Sequence, residues 1–97
     1  MAKVIWSKES RDDLEDIYLQ LLNNSPYFAN VWVDEIMKMA SRLETFPQIG
    51  RIVPEIKINR IKESVVRQYR MVYEVSSDDE IVEILAIRHS SKPLSNF

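Results

Sequence analysis

The chain has 97 residues, 45% hydrophobic and 29% charged, with a net charge of −2, one histidine and no cysteine. That length suits one domain around one modest core. The composition excludes a disulfide framework, a thiolate nucleophile and the paired-histidine zinc motifs, and no apolar run reaches the roughly 20 residues that span a bilayer. The opening MAKVIWSKES has no secretion-signal layout, because charges bracket a very short apolar stretch. The expectation is a cytoplasmic protein with no membrane association, metal or other cofactor.

In chain order, KVIW at 3–6 is a short apolar strand. Ser7 is placed to cap a helix, and Glu9, Asp12 and Asp13 crowd its early turns, where negative charge suits the helix dipole. Leu14, Ile17, Tyr18, Leu21 and Leu22 recur at the spacing of one buried helix face. Asn23-Asn24 ends that helix, and Ser25-Pro26 opens the next with a serine cap and a proline at the first helical position. The second helix is predicted from Pro26 to Glu44, with Ala29, Trp32, Val33, Ile36, Ala40 and Leu43 inward. So short a break predicts an antiparallel helical hairpin. Phe46-Pro47 stops it, and Gly50, the only glycine, is expected to supply a positive φ in the turn that follows.

The remainder reads as strand, at about 61–67, 69–76 and 81–88, with Ser76–Glu80 as a turn. The tail 90–97 lacks periodicity and is expected to be loose unless a partner orders it. The predicted fold is a single α+β domain over 1–97, ordered β-α-α-β-β-β, with a small antiparallel sheet packed on the helical hairpin. Such packing leaves the far face of the sheet open for function.

Charge is unevenly spread. Residues 51–70 hold six Lys/Arg (Arg51, Lys57, Arg60, Lys62, Arg67, Arg70) against two acids, while both flanks are acidic. A basic segment of this kind is either a contact surface or a solvated face. Alternation places Tyr69, Met71, Tyr73 and Val75 on the core side, and Arg70 on the open side with Glu74. Arg67 has the opposite parity. Glu83 shares parity with His89 and would be costly in a core, so His89 is expected on Arg70's side. The bland readings are specific too: Arg70 as an ion-pair partner of Glu55 or Glu74, His89 as a hydrogen-bonded strand end, Trp6 and Trp32 as core.

VIWS, DDLEDIY, LETFPQIGRIVPE, QYRMVYEV and AIRH, in that order, resemble the ParE/RelE superfamily of toxins from bacterial type II toxin–antitoxin modules. The resemblance covers about residues 3–92. The long helical hairpin and the FPQIGR turn are more similar to the ParE branch. It implies the fold just derived, a role in plasmid stabilisation or addiction, and a cognate antitoxin that wraps and neutralises the toxin. It also implies inhibition of DNA gyrase by protein contact, the expectation adopted here. The target or antitoxin contact candidates are Arg51, Arg60, Lys62, Arg67, Arg88, Lys92, Leu94 and Phe97.

The alternative is a metal-independent, ribosome-dependent mRNA endoribonuclease of the RelE type. Such cleavage needs a base, an acid and a cation for the developing charge on phosphate. Glu55 in VPE, Arg70 in QYR and His89 in IRH match a Glu/Arg/His set found in ribonuclease members. The tail departs from that pattern, since Ser90-Ser91 follow His89 and no tyrosine is present to stack on a base. A third possibility is an inactive homologue that acts only as a binding or co-repressor partner.

Overall fold

The computed structural model describes residues 1–94. Strand β1 (Lys3–Trp6) leads into helices α1 (Lys8–Asn24) and α2 (Pro26–Thr45), followed by β2 (Arg51–Ile52), β3 (Ile61–Val66), β4 (Tyr69–Val75) and β5 (Ile81–His89). Both helix starts follow from their caps. Ser7 Oγ accepts the Ser10 N–H at 3.1 Å, and Ser25 Oγ accepts the Phe28 N–H at 3.2 Å. Ser25 serves twice, because its own N–H donates to Leu21 O and closes α1. Pro26 then stands where its missing N–H leaves no bond unmade.

The five strands form one sheet in the order β1-β5-β4-β3-β2. The predicted element order is observed, with two differences. The two-residue β2 adds an edge strand, pairing Arg51 with Glu63 and Ile52 with Lys62. The sheet is mixed rather than antiparallel, because β1 lies parallel to β5. A parallel partner needs a long crossover, and here the chain uses the helical hairpin and three further strands to return.

The main core lies between hairpin and sheet. Trp32, Ile36, Ala40 and Leu43 of α2 meet Met71, Tyr73 and Val75 of β4 and Val82, Ile84 and Ile87 of β5. Each large side chain buried there contributes about 1.5–3 kcal/mol. Helix α1 contributes a half-buried stripe of Leu14, Ile17, Tyr18 and Leu21. Trp6 packs at the margin of this core, and Trp32 is fully buried within it.

Two expectations are corrected here. The outer face of the sheet is not simply open: Val53, Ile61, Val72 and Leu94 form a second cluster there, flanked by Ile56 and Ile58. Gly50 does not adopt a positive φ, which instead occurs at Lys57, Arg67 and Asp79. Glycine is required by space. A Cβ at residue 50 would collide with the Glu63 carbonyl oxygen and lie 2.5 Å from Tyr73 Oη, which accepts the Gly50 N–H at 2.8 Å.

Candidate functional site

The β3–β4 hairpin turns through only Arg67 and Gln68, with Arg67 in the left-handed region at φ 54°. This tight turn fixes the register Glu63↔Val72 and Val65↔Arg70. Glu63 and Arg70 are therefore diagonal neighbours on the outer face. Arg70 Nε donates to Glu63 Oε1 at 2.7 Å, while Nη1 and Nη2 donate to the two Glu55 oxygens at 2.7 and 2.6 Å. Arg51 Nε donates to Glu63 Oε2 at 2.6 Å. Two arginines and two carboxylates thus form one chain of charge-assisted hydrogen bonds across β2, β3, β4 and the loop after β2.

Burial grades this cluster. The side chains of Glu63 and Arg70 are 0% and 8% exposed, Glu55 is 33% exposed, and Arg51 is 67% exposed. The hydrogen bonds from Arg70 hold the Glu55 carboxyl down to about 2, helped by the Leu94 N–H and opposed by partial burial. Arg70 is raised in turn, chiefly by its bonds to Glu55. Both groups are ionised at neutral pH, so Glu55 is a weak proton acceptor.

His89 is elsewhere, which corrects the expectation that it shares Arg70's face. In the β4–β5 register Val72 faces Ala86 but Tyr73 faces Ile84, leaving Leu85 as an extra residue in β5. That bulge reverses the parity of everything beyond it. His89 pairs with Tyr69 on the helix side, where their rings meet edge to face with centroids 5.3 Å apart. Tyr69 also meets the Trp32 ring edge to face, with centroids 5.3 Å apart. Ser91 brings its backbone N–H to within 3.2 Å of His89 Nδ1 and its hydroxyl to 2.8 Å. In the neutral ring this places the proton on Nε2. His89 borders a cleft of about 390 Å³ shared with Asp16, Gln20, Tyr69, Arg88 and Lys92.

Glu55 and Arg70 are thus brought together, while His89 lies on the opposite face of the sheet. The sequence reading missed Glu63. The signal was available, because a two-residue turn at 67–68 places Glu63, Val65, Arg70 and Val72 on one face. Of the two partners offered for Arg70, Glu55 is the one observed; Glu74 pairs with Arg60 at 2.5 Å.

The basic segment is largely neutralised. Besides those pairs, Arg67 binds Glu35 at 2.8 Å and lies over the Phe28 ring at 5.4 Å. Arg67 and Arg70 belong to separate clusters. Arg88 binds Glu9 at 2.8 Å and also Asp13, tying β5 to α1. Lys62 is half-buried on the helix side of β3, and among the described residues neither it nor Lys92 forms an ion pair. Leu94, offered as a contact residue, is 3% exposed. Phe97 lies outside the described residues.

A comparison with curated proteins returns no match. Among solved structures, the chain resembles the chromosomal ParDE system of P. aeruginosa, with TM-score 0.74, 18% identity, and coverage of 92% of this chain and 96% of that one. It also resembles the RelBE2 toxin–antitoxin complex of Mycobacterium tuberculosis, with TM-score 0.64, 18% identity, and 91% and 96% covered. A third similar structure is the YoeB/ParE toxin from Agrobacterium tumefaciens, with TM-score 0.61, 20% identity, and 90% and 96% covered. At these identities the likeness concerns the fold. The family model described as ParE toxin of type II toxin-antitoxin system, parDE, matches residues 4–94, and the chain belongs to that family of toxins.

Proposed function

We infer that this toxin acts by protein contact, with DNA gyrase as its target and a cognate antitoxin as its neutralising partner. One observation carries the preference for contact over chemistry: base, cation and acid do not converge. Arg70, the cation a phosphate would need, is nearly buried and spends its guanidinium on Glu55 and Glu63. His89, the only histidine, stands across the sheet against Tyr69. RNA cleavage would require Arg70 to leave two carboxylates and His89 to change faces. Gyrase as the particular target rests on membership of the ParE branch, a family-level warrant.

On the contact side, the region after α2 exposes both charged and apolar side chains. Arg51 and Arg60 are each paired yet well exposed, and Phe46, Ile49 and Ile52, close to Arg51 in sequence, are exposed apolar residues. Induced expression of wild type and His89→Ala in cells lacking the antitoxin tests the reading. Equal growth arrest is expected. Loss of arrest in His89→Ala, with the protein folded and abundant, would favour the endoribonuclease; no arrest by either would favour an inactive homologue.

A further inference from the structure

Between His89 on the helix side of the sheet and Leu94 on its outer face, the chain changes faces within four residues. Every backbone N–H on this crossing has an acceptor. Ser90 donates to Gln68 O at 2.7 Å and Lys92 to His89 O at 3.0 Å. Ser91 donates to His89 Nδ1 at 3.2 Å and Leu94 to Glu55 Oε2 at 3.2 Å, while Pro93 has no N–H to satisfy. Two of these acceptors are carbonyls and two are titratable side chains. Arg70 holds the Glu55 carboxyl down to about 2. His89 Nδ1 is therefore the one acceptor on the crossing that a change of pH around neutrality removes.

We propose that His89 is a proton-operated latch for the C-terminal strap, residues 90–94. The neutral imidazole accepts the Ser91 N–H at Nδ1, whereas the imidazolium carries a proton there and sets donor against donor. Ser91 Oγ, 2.8 Å from the same nitrogen, can turn to accept that proton, but the main-chain N–H loses its acceptor. The charged groups around the ring are Asp13 and Asp16 of α1, Arg88 of β5 and Lys92 of the strap, and Tyr69 of β4 packs edge to face against it. Asp13 is engaged by Arg88, which leaves Asp16 to offset an imidazolium against the charge of Lys92. Protonation loosens the crossing, so that Leu94 leaves Val53, Ile61 and Val72 more often and its hold on Glu55 lapses with it. Loss of one such hydrogen bond shifts a local opening equilibrium about threefold to tenfold. The inference is independent of the toxin's target.

Amide exchange on the full-length chain, followed by NMR and corrected for the intrinsic effect of pH on exchange, reads the latch. Between about pH 8 and pH 5, protection of the Leu94 N–H should fall about threefold to tenfold, in step with titration of the His89 ring resonances. At each pH Leu94 should be less protected than the amides of β4, the mark of local opening rather than unfolding. His89→Asn keeps an acceptor near the position of Nδ1 and takes up no proton, so its Leu94 protection should stay level. Ser91→Ala keeps the N–H and loses the hydroxyl, and there the fall should persist. Wild-type Leu94 protection that stays level across this range, or equals that of β4, overturns the proposal. So does a fall that survives in His89→Asn or disappears in Ser91→Ala.

Discussion

Replacing Glu63 by glutamine perturbs the buried centre of the ion cluster while keeping its volume. Both carboxylate oxygens are engaged, one by Arg70 Nε at 2.7 Å and one by Arg51 Nε at 2.6 Å, and the side chain has no exposure. Glutamine offers one acceptor and turns an NH2 towards the other arginine, setting donor against donor. Removing one partner of a buried pair costs about 3–5 kcal/mol, and continued pairing of Arg70 with Glu55 places this case near 3. The exposed pair Arg60–Glu74 is the control, and Arg60→Gln should cost under about 1 kcal/mol. In urea unfolding, at about 1.5 kcal/mol per molar, the Glu63→Gln midpoint should fall by about 2 M with the slope unchanged. Replacing Glu63 and Arg70 together by methionine should regain only part of the loss, since the apolar pair needs no desolvation of charge but leaves the partly buried Glu55 without its cation. A Glu63→Gln midpoint no lower than that of Arg60→Gln would refute this reasoning.

Gly50→Ala should destabilise by about 1–3 kcal/mol, read from thermal melts, because the new methyl meets the Glu63 carbonyl oxygen and Tyr73 Oη. Deleting Leu85 should be tolerated at about 1 kcal/mol, roughly the Ser7 Oγ bond to its carbonyl oxygen. The deletion leaves Ile84 opposite Tyr73 and Ala86 opposite Val72, so Met71–Ile87 proximity should persist in NMR spectra; its loss would reject the bulge. Glu55 titrates in the native state at about 2, below its ordinary value, so the unfolded chain takes up the proton first. Its stabilising share is complete above about pH 4.5 and is lost as pH falls towards 2. Urea midpoints of wild type and Glu55→Gln should therefore converge on acidification; a gap that widens would contradict that sign.

Local rules made the helices legible. Serine caps, a first-turn proline and a clean apolar period at Trp32, Ile36, Ala40 and Leu43 act within a few residues, and the observed ends lie within a residue or two of the predicted ones. Sheet features depend on what lies across the strand. The parity of Tyr69–Val75 held because β4 is regular, whereas one extra residue at Leu85 sent His89 to the other face. Nothing in EILAIRH marks Leu85 as a bulge: no glycine is present, and the shift exists only relative to β4. Gly50 was recognised as special for the wrong reason, since its crowding comes from Glu63 and Tyr73, well separated in sequence. Covering of the outer face was illegible for a related cause. Val53 and Leu94 are 41 positions apart, and Glu55 and Arg70 hold the backbone of Lys92 and Leu94 where that contact forms.

The central claim is that the toxin disables its target by contact and does not cut RNA. Its most direct test mixes purified protein with purified gyrase and relaxed plasmid, beside a cell-free translation reaction read by primer extension. Loss of supercoiling with accumulation of broken plasmid, and an uncut message, is the predicted result. Intact supercoiling together with codon-linked cuts in translated mRNA would contradict it.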